Sequence, residues 1–310
     1  MKLLLLGANG QIGFELHRSL APLGEIVAAT RTGALPGASA CERADLAETG
    51  ALATLIDRVA PDWIVNASAY TAVDRAEDER ELARRVNGDA LRVIGERARA
   101  RGAAVLHYST DYVFGGNGTR PYREDDATAP LNAYGASKLA GEVALRESGA
   151  RHLVFRTAWV YASRGQNFLR TMLKLAATRD RLTVVADQRG APTPARLLAE
   201  VAAHAIARFG PETPADRWGI YHVAASGETS WCEFARTIVE RAAAAGLIGR
   251  APEVAAIAST DYPTRARRPA YSVLDTGKIE RALGLAMPPW ERGVEACIAE
   301  VVESTRATTQ

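Results

Sequence analysis

The chain has 310 residues, of which 47% are hydrophobic and 24% charged, and its formal net charge is +2. That length and apolar content allow one large domain plus a smaller one with a proper core, and they exclude a disordered chain. Arg and Lys are scattered among Asp and Glu, so no nucleic-acid or membrane partner is implied.

The run Lys2–Leu6 is too short for the apolar region of a signal peptide, and no segment reaches the length of a membrane span. Cys41, Cys232 and Cys297 are far apart and odd in number. They give neither metal-ligand spacing nor a disulfide framework and read as reduced thiols of a cytoplasmic protein.

In chain order, Leu3–Leu6 predicts a buried strand and Gln11–Leu23 a helix, with Ile12, Leu16, Leu20 and Leu23 at helical spacing. Ile26–Thr30 predicts a strand, Thr49–Val59 a helix, Trp63–Asn66 a strand and Asp74–Ala100 one long helix. Ala103–Ser109, Ala133–Arg146 and His152–Thr157 follow as strand, helix and strand. This alternation predicts an α/β fold, a parallel sheet covered by helices on both faces. Beyond about residue 160 the alternation loosens. Gly190 to Pro194 is a turn cluster, Ala195–Phe209 and Trp231–Ala244 read as helices, and Gly249–Arg268 is poorly periodic. The expected division is a dinucleotide-binding domain over 1–160, with segments near 185–225 returning to it, and a smaller, mostly helical substrate domain over 161–310. Ser304–Gln310 is polar and expected to fray.

Gly7-Ala8-Asn9-Gly10-Gln11-Ile12-Gly13 lies between the first strand and the first helix. A helix N-terminus offers free N–H groups and a positive dipole end, and glycines let the backbone approach a pyrophosphate. The second strand closes on Thr30-Arg31, where an NAD site would place a carboxylate for the ribose hydroxyl. A guanidinium there suits a 2′-phosphate and favours NADPH over NADH, although Arg31 also reads as a solvated surface arginine.

Tyr134 and Lys138 are four residues apart at the start of a predicted helix, so both side chains can reach one cleft. A cation near a phenol favours phenolate and is expected to bring Tyr134 nearer to working pH as a general acid. Thr110 ends the preceding strand, where a hydroxyl faces the ligand crevice of an open α/β sheet.

The G-x-x-G-x-x-G spacing resembles the short-chain dehydrogenase/reductase superfamily, particularly its extended branch. That likeness implies a doubly wound, Rossmann-type sheet and adds Asp45-Leu46 and the segment Asn66 to Tyr70 as cofactor-lining positions. More closely, the chain resembles the dTDP-4-dehydrorhamnose reductase family. The blocks that carry this are Gly10 to Gly13, Asn66 to Asp74, His107 to Phe114, Pro130 to Gly135, Arg156 to Tyr161, Asp187 to Thr193, Arg268-Pro269 and Pro289 to Glu291. The resemblance implies hydride reduction of a C4 keto group on a nucleotide sugar by NAD(P)H, with Thr110, Tyr134 and Lys138 as catalytic residues. It assigns Ala67, Ala69, Tyr70, Thr71 and Tyr108 to the cofactor, and Asp111 and Trp159 to the sugar nucleotide. Arg268, with Arg265 and Arg267, suits a diphosphate.

Some relatives hold Mg²⁺ between three glutamates at a dimer interface. Glu15 and Glu291 match two of these, but the third position is Arg196, so a metal is not expected and an Arg–Glu cluster is. Two other readings remain: an NDP-sugar epimerase or dehydratase on the same scaffold, and a non-catalytic NADP-binding regulatory subunit.

Overall fold

Along the first strand, Leu3 and Leu5 join one apolar cluster and Leu4 and Leu6 another, so the strand is buried on both faces. The same alternation marks Trp63, Ile64 and Val65, and then Leu153, Val154 and Phe155. The computed structural model, which describes residues 1–37 and 40–309, assembles these segments into one seven-stranded sheet. In chain order its strands are β1 (Lys2–Leu6), β2 (Glu25–Thr30), β3 (Glu42–Arg43), β4 (Trp63–Asn66), β5 (Ala104–Thr110), β6 (Arg151–Thr157) and β7 (Gly219–His222). They lie in the order β7-β6-β5-β4-β1-β2-β3, and every neighbouring pair is parallel. The winding reverses between β1 and β4, which opens a crevice at the C-terminal ends of those strands.

On one face pack the helices Gln11–Ser19, Ala195–Arg208 and Gly277–Leu283, contributing Leu16, Leu198, Ala202 and Ile279 to the core. On the other pack Thr49–Val59, Ala90–Arg101 and Ala133–Glu147. A separate apolar cluster gathers the helices Phe168–Ala176, Trp231–Ala244 and Trp290–Thr309 with a two-stranded parallel ribbon, Arg181–Val185 on Glu253–Ile257.

Several elements depart from the sequence reading. The first helix stops at Ser19, and a 3-10 turn, Ala21–Leu23, follows because Pro22 cannot continue the α-helical ladder. The expected helix over Asp74–Ala100 is broken into a 3-10 turn Arg75–Glu77, a short helix Arg80–Arg84, a π turn Arg85–Asp89 and the helix Ala90–Arg101. Asn87 and Gly88, poor helix formers, are buried within the π turn. The aperiodic stretch Gly249–Arg268 contains the ribbon strand Glu253–Ile257, too short to show a period. The final helix is drawn through to Thr309, and Gln310 lies outside the described residues.

Candidate active site

Gly7 follows β1 at a φ of +80°, and a Cβ on Gly13 would overlap the Gly7 carbonyl oxygen. Both positions therefore need glycine for the helix to start this close to the strand. Gly10 occupies the N-cap of the helix Gln11–Ser19, without a side-chain cap and without an acidic residue in the first turn. The uncapped N–H groups fit an anionic pyrophosphate, so Gly7, Gly10, Gln11, Ile12 and Gly13 form a suitable cradle.

The other cofactor candidates divide by what their side chains do. Arg31 is exposed just beyond β2, with its charge available. Thr30 is fully buried and its hydroxyl is spent on the loop, donating to the Ala34 carbonyl at 3.1 Å and accepting from the Ala34 N–H at 3.2 Å. Leu46 and Tyr108 also turn inward. Leu46 lies in the core, and the Tyr108 hydroxyl donates to the Leu198 carbonyl at 3.2 Å. The side chains of Thr30, Leu46 and Tyr108 are therefore turned to the protein interior. Asp45 caps its own turn by accepting the Ala47 N–H at 2.9 Å.

Ala67, Ala69, Tyr70 and Thr71 lie on the segment that leaves β4 beside the crevice. Asn66 holds its start by accepting the Ser68 N–H at 3.0 Å, and the Tyr70 hydroxyl donates to Glu79 at 2.6 Å. Asn87, which the sequence analysis missed, accepts from the Tyr70 N–H at 2.9 Å. Its amide donates to the Tyr70 carbonyl at 3.0 Å and to the Ser137 hydroxyl at 2.9 Å. It therefore ties the crevice segment to the helix carrying Tyr134. The available signal was an asparagine and a glycine in the middle of an otherwise helical run.

That helix, Ala133–Glu147, begins at Asn132, whose side chain accepts the Gly135 N–H at 2.8 Å. Gly135 has no alternative, because a Cβ there would overlap the Tyr112 carbonyl oxygen. This close approach brings Tyr134 against the end of β5. Its ring meets Tyr112 edge-on, with the centroids 6.0 Å apart. The Thr110 hydroxyl donates to Asp111 Oδ1 at 3.0 Å.

Burial dominates the acid–base chemistry. It pushes Tyr134 up to about 12, opposed by the nearby Thr110 hydroxyl, and pushes Asp111 up to about 6. Asp111 Oδ2 is buried with no hydrogen-bond partner among the described residues. Lys138 is 2% exposed, and burial lowers it to about 7, opposed by Glu142. Its ammonium donates to the Tyr108 carbonyl at 2.6 Å and lies 3.0 Å from His107 Nε2. The expected lowering of the Tyr134 value by Lys138 is therefore corrected. The phenol moves upward because desolvation of the phenolate outweighs every other influence on it.

A cleft of about 1170 Å³ runs from Gly115 and Leu131 past Phe168 and Trp231 to Arg265 and Arg268. Trp159, at a φ of +46°, stacks on Trp231 with ring centroids 3.7 Å apart. Arg268 reaches Asp74 Oδ2 at 2.7 Å, Arg265 pairs with Asp78, and Arg267 also lines the cleft.

Arg196 reaches Glu200 at 2.9 Å and Glu300 at 3.4 Å, and the Ser163 hydroxyl donates to Glu300 at 2.6 Å. Glu15 is 7% exposed, and burial followed by the charge of Glu300 raises it. Within one chain the carboxylate that joins Glu15 and Arg196 is Glu300. Glu291 lies nine residues earlier on the same helix, roughly 13 Å away along its axis. A guanidinium among these carboxylates does not fit a hard cation that needs oxygen ligands.

A family model described as the RmlD substrate binding domain matches residues 1–303. A dTDP-4-dehydrorhamnose reductase of Escherichia coli (strain K12) is 47% identical over 305 residues, which is 98% of this chain and 99% of the relative. The crystal structure of a dTDP-4-dehydrorhamnose reductase from Clostridium acetobutylicum superposes with a TM-score of 0.87 at 31% identity, over 97% of this chain and 99% of that one. The Bacillus anthracis dTDP-4-dehydrorhamnose reductase, solved in complex with NADP, superposes with a TM-score of 0.85 at 32% identity, over 96% of this chain and 99% of that one.

Proposed function

Because the chain belongs to the dTDP-4-dehydrorhamnose reductase family, we propose that it reduces the C4 keto group of dTDP-4-dehydro-L-rhamnose to give dTDP-L-rhamnose. The observation that carries this reading is that Lys138, one turn along the helix from Tyr134, is hydrogen-bonded to the Tyr108 carbonyl of β5, the strand that ends at Thr110. When bound, the nicotinamide supplies the hydride. The protein's own groups do the rest. Thr110 and Tyr134 hydrogen-bond the carbonyl oxygen, and Tyr134, protonated at neutral pH, hands its proton to the oxygen as negative charge develops there. Lys138 would hold the cofactor's ribose. Arg265, Arg267 and Arg268 face the diphosphate, and the unmet Oδ2 of Asp111 accepts a sugar hydroxyl.

Residues 1–160, with the segments that return to the main sheet, form the cofactor lobe in this reading, and most of 161–310 forms the substrate lobe. NADPH is the preferred cofactor, on the exposed Arg31 and the lack of a carboxylate at that strand end, and NADH is also accepted. The enzyme is cytoplasmic, acts as a homodimer and works without Mg²⁺. No helix among the described residues is long and apolar enough to cross a membrane.

The test is NADPH oxidation with dTDP-4-dehydro-L-rhamnose beside its UDP and GDP analogues. Turnover is expected with the dTDP sugar and strongly reduced with the others. No NADPH consumption with any ketosugar nucleotide would overturn the assignment. In that case, tightly bound NAD would identify an epimerase or dehydratase, and reversible NADPH binding alone would identify a regulatory subunit.

A further inference from the structure

An aspartate at the head of a helical turn ordinarily caps that turn with its own side chain. Asp74 stands at the head of the 3-10 turn Arg75–Glu77 and makes no such bond. Its carboxylate is spent on a distant loop instead, one that ends 194 residues further along the chain at Arg268. Oδ1 accepts from the Ala266 N–H at 3.1 Å and from Arg268 Nη1 at 3.2 Å, and Oδ2 accepts from Arg268 Nη2 at 2.7 Å. These bonds, that to Arg268 foremost, hold Asp74 below the usual carboxylate range, so it is charged at neutral pH.

The loop is pinned where this contact falls. Tyr262 to Arg265 is exposed, whereas Ala266 is 1% exposed. The Arg267 carbonyl accepts at 2.9 Å from Asn132, the cap of the helix that carries Tyr134. Pro269 packs on Gly116, where a Cβ would overlap it.

A guanidinium carries five N–H donors in a planar fork. In Arg268, Asp74 takes one from each terminal nitrogen, and the Ala266 carbonyl, 3.4 Å from Nη1, takes another. The remaining N–H groups, on Nε and Nη2, share the other edge of the fork and meet no acceptor among the described residues. A pair of parallel N–H groups on one edge is the geometry that grips a phosphate, and Arg268 lines the cleft.

We propose that Asp74 is a positioning residue for the substrate: it docks the loop at Ala266 and turns the free edge of Arg268 toward the diphosphate of a nucleotide sugar. This deepens the reductase reading of the cleft and rests on it for the diphosphate. The opposite role is that of a competitor, a carboxylate that occupies Arg268 until an anion displaces it. The two roles differ in sign, because loss of a positioning group weakens binding and loss of a competitor tightens it.

Calorimetric titration of the NADPH-saturated full chain with dTDP tells them apart. D74N keeps the size of the side chain and removes its charge, so the dTDP Kd should rise about tenfold. R268Q removes the fork, and in that background D74N should add no further loss. An unchanged or tighter Kd in D74N, or the same loss with and without R268Q, would overturn the proposal. A second measurement needs no ligand. Trypsin cuts after Arg265 and Arg267 once the loop is undocked, so D74N should be cut there several-fold faster than the wild type. Cleavage at the wild-type rate would also overturn the proposal. Wild-type protein that binds no dTDP would count against the nucleotide-sugar reading, and against the Arg268 half of the proposal with it. The docking half is still decided by trypsin.

Discussion

At the scale of single residues, Tyr134 and Lys138 are shifted in opposite directions by one cause, loss of water. A half-buried phenol stays protonated, which is the form a proton donor needs, and a buried ammonium is pressed toward the neutral amine. Tyr134→Phe removes the donor and keeps the ring, so turnover should fall by about 10²–10⁴ while NADPH affinity barely changes. Near-normal steady-state turnover in that variant would sink the catalytic assignment. Lys138 also makes a stability prediction. Its folded value, about 7, lies below its unfolded value. Between the two, the unfolded chain binds more protons, so this group adds stability as pH rises and that gain is lost as pH falls through 7. The melting-temperature difference, wild type minus Lys138→Met, should therefore grow from pH 7 to pH 10. A flat difference would mean that Lys138 titrates normally. The four-residue spacing of this pair was legible in the sequence because it is local helix geometry. The direction of the Tyr134 shift was not, because burial is set by segments far away in the chain.

At the scale of elements, the helix Ala133–Glu147 is fixed at both ends. Asn132 caps its start and also donates to the Arg267 carbonyl at 2.9 Å, joining the helix to a cleft-lining loop. Toward the other end, Glu142 accepts from Arg156 on β6 at 2.7 Å, with both side chains at most 3% exposed, and the guanidinium lies 5.1 Å from the centre of the Phe114 ring. Removing one member of a buried pair strands the other charge. Glu142→Ala should thus cost about 3–5 kcal/mol in urea unfolding. A loss below about 1 kcal/mol would show that the helix is held by its apolar contacts alone. The sequence showed this helix clearly through its cap and periodicity. It could not show the pairing with β6, since nothing local distinguishes Arg156 from a surface arginine.

At the scale of the whole molecule, three distant segments meet at one cluster: Glu15 on the first helix, Arg196 on the helix Ala195–Arg208, and Glu300 on the last helix. The guanidinium neutralises carboxylates that would otherwise repel one another. Activity and the proposed dimer should therefore survive EDTA. Arg196→Glu should create a dependence on Mg²⁺, seen as a dimer that weakens on chelation in gel filtration. A wild-type enzyme that dissociates or loses turnover in EDTA would refute this. The sequence by itself determined the strand–turn–helix start, the parallel sheet and the four-residue spacing that puts Tyr134 and Lys138 on one helix face, because each is written in short-range spacing and turn residues. It missed both the ties that Asn87 makes and the buried pairing of Glu142 with Arg156. Those were decided only by tertiary structure. Which carboxylate reaches an arginine, and which polar group is stripped of water, depends on segments brought together from opposite ends of the chain.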